Sequence, residues 1–253
     1  MIDLRVISIG TLGAHPLWGE RRPVRTGHAT TTLIRTREET ILVDPGLPSQ
    51  ALGARLAERA NITPDDVTIV FLTSFHLDTH RGIDAFENAR WLIHRTEREM
   101  VGIPLVSALR HAVEHSDEEL RETIEREVAI LHRFEEAPES LAEGVDLFPL
   151  PGVTPGMCGL LVSTGRDRDG EGPVDLDLPR TDVDRSVLVC GDAIPTVEHL
   201  FTGRVLPSAG NVEHAKASFA EAVEIADWLV LGRDNAVPSP GRVAGEARRG
   251  DGE

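Results

Sequence analysis

The segment LTSFHLDTHRG, residues 72–82, closes an apolar run and opens a loop that carries several titratable side chains. The run before it, residues 67–72, is mostly apolar and predicts a β-strand that is covered on both faces. His76, Asp78 and His80 follow shortly after the end of this strand. These three residues are therefore the first candidates for a functional site.

The pattern around this segment predicts a mixed α/β fold. Strand-like alternation at residues 2–9 is followed by a strand pair, a helix with an apolar face at 49–60, and the buried strand. A similar order of strands and helices recurs in the second half. This order is compatible with two sheets packed back to back with helices outside, a four-layer αββα sandwich. We predict one domain over 1–235, with a helical insertion at 95–140 and a flexible tail at 236–253.

The clearest helix of the insertion is predicted to start at Ser116. Ser116 and Glu119 have the spacing of a capping box, in which each side chain bonds the backbone N–H of the other. An apolar stripe follows at helical spacing: Leu120, Ile124, Val128 and Leu131. Such a stripe is typical of a helix that packs on the core of the protein or on a second copy of the chain.

Composition narrows the range of partners. The formal net charge is −16, and a surface of that sign repels nucleic-acid phosphates and anionic lipids, so we expect neither as a partner. No apolar run approaches the ~20 residues of a membrane-spanning helix. The first residues lack the layout of a signal peptide, so we expect a cytoplasmic protein.

Two local features are predicted from composition as well. Cys158 and Cys190 are expected to be core residues. The Asp- and Gly-rich run 166–184 is expected to be a surface loop.

Five short segments, in this order along the chain, resemble the motifs of the metallo-β-lactamase superfamily. Each is weak by itself, but their order and spacing together favour that fold over residues 1–235. The segments are ILVDPG (41–46), LTSFHLDTHRG (72–82), PLPGVTPGM (149–157), VLVCGDAI (187–194) and LVLGRDN (229–235).

The resemblance implies a hydrolase in which imidazoles and carboxylates hold two divalent ions, usually zinc, that activate a water molecule. Three of the seven ligand positions implied by the resemblance retain a residue that can bind metal, namely His76, Asp78 and Asp192. The other four positions hold Ser74, Thr79, Val153 and Arg233. Met157 stands where the family has a supporting histidine.

Arg233 is the most informative of these substitutions. Its guanidinium is always charged and cannot coordinate a metal. If the fold is formed, Arg233 comes close to Asp78 and Asp192, two carboxylates that need a positive charge nearby. We therefore predict a two-point ion pair between Arg233 and Asp192, in which the arginine takes over the electrostatic role of a metal.

Two functions remain open from the sequence. One is a hydrolase of a small ester, lactone, thioester or phosphoester with at most one zinc or other divalent ion, held by His76, Asp78, His80 and Asp192. Asp78 would then orient the attacking water. The other is a metal-free, non-catalytic protein that binds a small anionic ligand, anchored by Arg233, or a protein partner in the same cleft.

Two more expectations concern the surroundings of the cleft. Glu198 and His199 follow Asp192 closely and are expected at its rim. The helix after Ser116 can cover the cleft or join two copies of the chain, so a homodimer remains an option.

Overall fold

The computed structural model describes residues 2–164 and 185–241, and two six-stranded sheets form the centre of this part of the chain. The first sheet contains, in spatial order, β1 (Asp3–Ser8), β2 (Thr31–Arg35), β3 (Thr40–Val43), β4 (Ile69–Leu72), β5 (Arg90–Ile93) and β6 (Glu135–Glu136). The second contains β7 (Ser140–Ala142), β8 (Val145–Pro149), β9 (Cys158–Thr164), β10 (Arg185–Val189), β11 (Trp228–Val230) and β12 (Ala236–Pro238).

Six α-helices belong to the described residues: α1 (Ser49–Ala60), α2 (Leu77–His80), α3 (Arg95–Glu114), α4 (Glu118–Arg133), α5 (Val197–Thr202) and α6 (Val212–Ile225). Short 3-10 turns occur at Pro16–Trp18, Pro64–Asp66, Ile83–Ala85 and Gly191–Ala193. None of the described helices is long and apolar enough to cross a membrane.

Strand direction determines where the functional loops lie. Strands β3 to β6 of the first sheet are parallel to one another, and so are β10 and β11 of the second. Parallel neighbours end at the same edge of a sheet. The loops after β10 and β11 therefore lie side by side. The loop after β4, from the first sheet, meets them, because Asp78 contacts Arg233.

The core lies between the two sheets and follows the two-residue period of the strands. In β4, Ile69 and Phe71 face the second sheet, while Val70 and Leu72 face the helices on the outside. All four are buried, because the strand is covered on both sides. Helix α1 packs on the outer face of the first sheet and α6 on that of the second. The predicted four-layer αββα sandwich is thereby confirmed.

The predicted insertion at 95–140 forms a hairpin of α3 and α4, after which the chain returns to strand structure. Helix α4 begins one residue later than the capping box predicted. Asp117 is its N-cap, with a side-chain oxygen that accepts from the N–H of Leu120 at 3.1 Å. Ser116 instead has a φ of 53°. It turns the chain between two helices that follow each other closely, and so it cannot act as the cap.

The second sheet extends beyond the predicted domain end at residue 235. Strand β12 pairs antiparallel with β11, and the N–H of Ser239 donates to the carbonyl of Asp227 at 2.8 Å. The predicted flexible tail is therefore wrong for its first residues, because their backbone groups continue the sheet. The rest of that tail, 242–253, and the predicted surface loop at 166–184 lie outside the described residues.

Candidate functional site

The site is formed where two parallel strands of the second sheet end side by side. Asp192 follows β10 and Arg233 follows β11. The two strand ends approach so closely that a Cβ atom on Gly232 would lie 2.3 Å from the carbonyl oxygen of Gly191. Any side chain at position 232 would push the loops apart, so this glycine is what lets the Arg233 side chain reach Asp192.

Arg233 forms a two-point ion pair with Asp192. Its Nε lies 2.7 Å from Oδ1, and its Nη2 lies 2.7 Å from Oδ2. A third contact joins Nη1 to Oδ2 of Asp78 at 2.9 Å. Only 6% of Arg233 is exposed. All three nitrogens of the guanidinium thus donate to carboxylates, and the two carboxylates follow strands of different sheets.

The pKa values of this pair favour the charged forms. Burial raises the pKa of Asp192, but the charge and hydrogen bonds of Arg233, with smaller contributions from His76 and His199, bring it below its ordinary value. Burial lowers the pKa of Arg233, and the charges and hydrogen bonds of Asp192 and Asp78 raise it above its ordinary value. Both groups therefore stay ionised at neutral pH.

Asp78 has a second cationic partner. Its Oδ1 accepts from Nη2 of Arg81 at 3.0 Å, and Nη1 of the same arginine donates to the carbonyl of Gly27 at 3.0 Å. Two carboxylates thus face two guanidinium groups, and the formal charges of these four side chains cancel. The loop before β2 is held against the cluster by the same contacts.

His76 lies at the mouth of the site and is exposed. It is the N-cap of α2, where its Nδ1 accepts from the backbone N–H of Asp78 at 3.2 Å. Ser74 and Thr79 are buried, and the hydroxyl of Thr79 bonds to the carbonyls of Ser74 and His76. These two hydroxyl residues therefore shape the loop.

His80 points away from the carboxylates. Its side chain is buried, with Nε2 3.2 Å from Oε2 of Glu127 on α4 and its ring 4.6 Å from that of Phe75. Two residues correspond to about 200° around a helix, so His80 leaves α2 on the side opposite to Asp78. His80 is therefore separated from Asp78 and Asp192, which lie together at Arg233. Among the described residues, no group of three or more His, Cys, Asp and Glu is arranged to hold a metal ion.

A family model of the metallo-beta-lactamase superfamily matches residues 24–232 of this chain. The chain belongs to that superfamily.

Curated relatives match about half of the chain. An N-acyl homoserine lactonase from a Bacillus species is 26% identical over 166 residues, which cover 56% of this chain and 59% of the relative. This chain therefore matches less than two thirds of that protein's length.

Two solved structures share the fold. A Thermotoga maritima protein assigned to the metallo-beta-lactamases has a TM-score of 0.62 at 18% identity, over 94% of this chain and 99% of the other. The dizinc lactonase AidC, in complex with its product N-hexanoyl-L-homoserine, has a TM-score of 0.58 at 19% identity, over 84% of this chain and 74% of its own. At such identities these two likenesses support the fold alone.

The donor set of this superfamily member does not fit a dinuclear metal centre. Val153 is an apolar residue packed against the core of the second sheet, and Met157 is fully buried in that core. Arg233 contributes a permanent cation that cannot coordinate a metal. The retained Asp78 and Asp192 already bind guanidinium groups. These residues suit a charge-balanced polar cluster better than a metal site.

A buried carboxyl lies near this cluster. Asp44 follows β3, and its side chain accepts from the N–H and the hydroxyl of Thr73 at 2.9 and 2.7 Å. The pKa of Asp44 is raised to about 7, mainly by burial and also by the nearby charge of Asp192. The hydrogen bonds from Thr73 act in the opposite direction and lower it. The pKa of Asp44 therefore lies near neutrality, while that of the nearby Asp192 lies below its ordinary value.

The predicted rim residues lie on α5. Glu198 accepts from the indole N–H of Trp18 at 3.2 Å and from the hydroxyl of Thr196 at 2.8 Å. His199 is fully buried, and its Nδ1 lies 2.9 Å from the same hydroxyl. Burial, with the nearby charge of His15, lowers the pKa of His199 to about 4. Glu198 thus ties α5 to the N-terminal loop, and His199 supports it from inside.

Sequence analysis missed Glu97, which connects the loops around the site. Glu97 is completely buried and accepts from the N–H of Phe75, the hydroxyl of Thr154 and the N–H of Gly156, at 2.9, 2.7 and 3.2 Å. Burial raises its pKa above the ordinary value despite these hydrogen bonds. Its sequence context, the first turn of a helix rich in charges, contains no sign of this role.

Proposed function

We propose that this member of the superfamily is a metal-free protein that binds a small molecule in the former active-site cleft without hydrolysing it. One observation carries the proposal. The guanidinium of Arg233 makes three short contacts with the carboxylates of Asp192 and Asp78, which are the groups that a metal ion would need.

The electrostatics support this reading. A divalent ion could bind Asp192 and Asp78 only if Arg233 left them, and Arg233 is almost completely buried. Removing one partner from a buried ion pair costs about 3–5 kcal/mol, because the other charge stays buried and uncompensated. Metal binding would have to overcome that cost with few remaining donors.

The ligand is proposed to be uncharged. Arg233 was expected to anchor an anion, but its contacts are with carboxylates of the protein itself, and the four charged groups balance. Such a cluster offers hydrogen-bonding groups to a polar ligand without a surplus charge that would attract an anion. The named lactonase relative supports an acylated lactone as the ligand class.

Apolar side chains near the cleft suit the acyl part of such a ligand. Trp18 is 59% exposed and is tied to Glu198, and Phe201, one turn further along α5, is 77% exposed. Leu77, between His76 and Asp78, is also exposed. Exposed apolar groups around a polar centre are typical of a site for an amphipathic small molecule.

The proposal is tested by metal analysis and calorimetry on the same protein preparation. Protein purified without chelators or added metal should contain less than about 0.1 equivalents of zinc, iron or manganese by elemental mass spectrometry. It should bind N-hexanoyl homoserine lactone and leave it intact by chromatography. The Phe201→Glu variant should bind more weakly, while Ile225→Glu, the same change from an apolar to a charged side chain at an exposed residue of α6, should not.

A second candidate is the mononuclear hydrolase with His76, Asp78 and Asp192 as ligands. It is favoured by His76, which lies close enough to Asp192 for its charge to lower the pKa of that carboxyl. One equivalent of metal that is lost in His76→Ala, together with ring opening of the lactone, would establish this candidate and overturn the metal-free function. Absence of both metal and binding would exclude the lactone class.

A further inference from the structure

Helix α3 presents an apolar face to solvent. Only Glu97 and Ala112 of its twenty residues are buried. The opposite side of the helix carries Ile103, which is 66% exposed, and Val106, which is 46% exposed, with Val113 further along. An exposed apolar face of this kind is typical of a surface that binds another protein.

The exposed face has the spacing of a coiled-coil seam. Glu99, Ile103, Val106, Arg110 and Val113 are separated alternately by four and three residues. That alternation places side chains along one line of a helix that packs against another helix. We call these five residues the α3 seam.

The α3 seam is complementary to itself when reversed. If a second copy packs antiparallel about a two-fold axis between Ile103 and Val106, Ile103 contacts Val106 of the partner subunit. In the same register, Glu99 faces Arg110 of the partner subunit at both ends of the apolar centre. A two-fold interface requires such self-complementarity. If one residue contacts a second residue of the partner subunit, that second residue must also contact the first residue of the partner subunit.

We propose that the protein forms a homodimer through the antiparallel pairing of two α3 seams. The chain has a formal net charge of −16, so two copies repel each other in general. The two Glu99–Arg110 pairs supply local attraction and fix the register. Glu99 bonds to Arg95 of its own helix at 2.9 Å, but both side chains are exposed. Exposed pairs of this kind are worth only about 0.3–0.5 kcal/mol, so Glu99 can exchange partners.

Charge reversal at the α3 seam tests the pairing. By sedimentation equilibrium, the wild-type protein should be dimeric at micromolar to tens of micromolar concentration. Glu99→Arg and Arg110→Glu should each weaken the dimer at least tenfold, since each places like charges opposite one another. The double variant should recover the dimer, and an equimolar mixture of the two single variants should form a heterodimer.

A matched control separates this effect from general damage. Glu58 on α1 has the same exposed pairing with a neighbouring arginine, Arg55, within its own helix. Glu58→Arg makes the same charge change away from the α3 seam and should leave the dimer intact. Unchanged circular dichroism would show that the variants are folded. A monomeric wild type, single variants that remain dimeric, or a double variant that stays monomeric would each overturn the proposal.

Discussion

Arg233 and Asp192 meet through two parallel contacts of 2.7 Å, from Nε to Oδ1 and from Nη2 to Oδ2. This is the geometry in which a guanidinium binds a carboxylate most strongly, and here it is almost completely buried. The sequence resemblance implied metal ligands at both positions, and the structure has an ion pair there. Its stability and its consequences for metal binding can be measured directly.

Removal of the arginine should destabilise the fold. Arg233→Ala leaves Asp192 buried without its main partner, so we expect the free energy of unfolding to fall by about 3–5 kcal/mol. Urea denaturation at neutral pH measures this change. The control is Arg126→Ala, which breaks an exposed pair with Asp84 and should cost less than about 1 kcal/mol. Equal losses in the two variants would mean that the Arg233 pair contributes no more than a surface contact.

Replacement of the arginine by an imidazole should open the site to metal. Arg233→His removes the permanent cation and adds a donor close to Asp192 and Asp78, with His76 at the mouth. We expect added zinc to raise the melting temperature of this variant and to leave that of the wild type unchanged. Zinc at 100 times its Kd would stabilise by about 2.7 kcal/mol. A zinc-dependent rise in the wild type would contradict the view that Arg233 excludes the metal.

The raised pKa of Asp44 should make stability depend on pH. The folded-state pKa of about 7 lies above the ordinary value of 3.8, so between these values the folded protein holds a proton that the unfolded chain releases. Stability should therefore fall as the pH rises from about 4 to about 7. The difference between the wild type and Asp44→Asn isolates this contribution, because the asparagine does not titrate. A constant difference across that range would place the pKa of Asp44 near its ordinary value.

Glu97 should be required for the arrangement of the loops around the site. Glu97→Ala leaves the buried N–H groups of Phe75 and Gly156 and the partly buried hydroxyl of Thr154 without an acceptor, and we expect the free energy of unfolding to fall by about 3 kcal/mol or more. Glu97→Gln retains one acceptor oxygen and should lose less. Glu114→Ala, an exposed change on the same helix, is the control. Thermal and urea unfolding measure the stability of the three variants. If all of them are as stable as the wild type, Glu97 does not hold the loops together.

The sequence determined the architecture and one central contact of the site. Strand periodicity and the buried run of β4 predicted the strands and helices, because these patterns depend on local geometry and on burial. The resemblance of five ordered segments to the superfamily then indicated two sheets with outer helices. Polar segments at strand ends, in the order of the superfamily, placed Arg233 near Asp192 and Asp78. The two-point pair with Asp192 was predicted, and the structure confirms it.

Only the tertiary structure decided which neighbours these groups have. His80 turns toward Glu127 on α4, Arg81 takes the second oxygen of Asp78, and Glu97 joins loops that are distant in sequence. The direction of a side chain after a strand depends on the turn that follows and on what packs there, and neither repeats with a period. Charge balance in a buried cluster is likewise a property of three-dimensional neighbours. The Arg233–Asp192 pair could therefore be predicted from the sequence, while Glu97 and the partner of His80 could not.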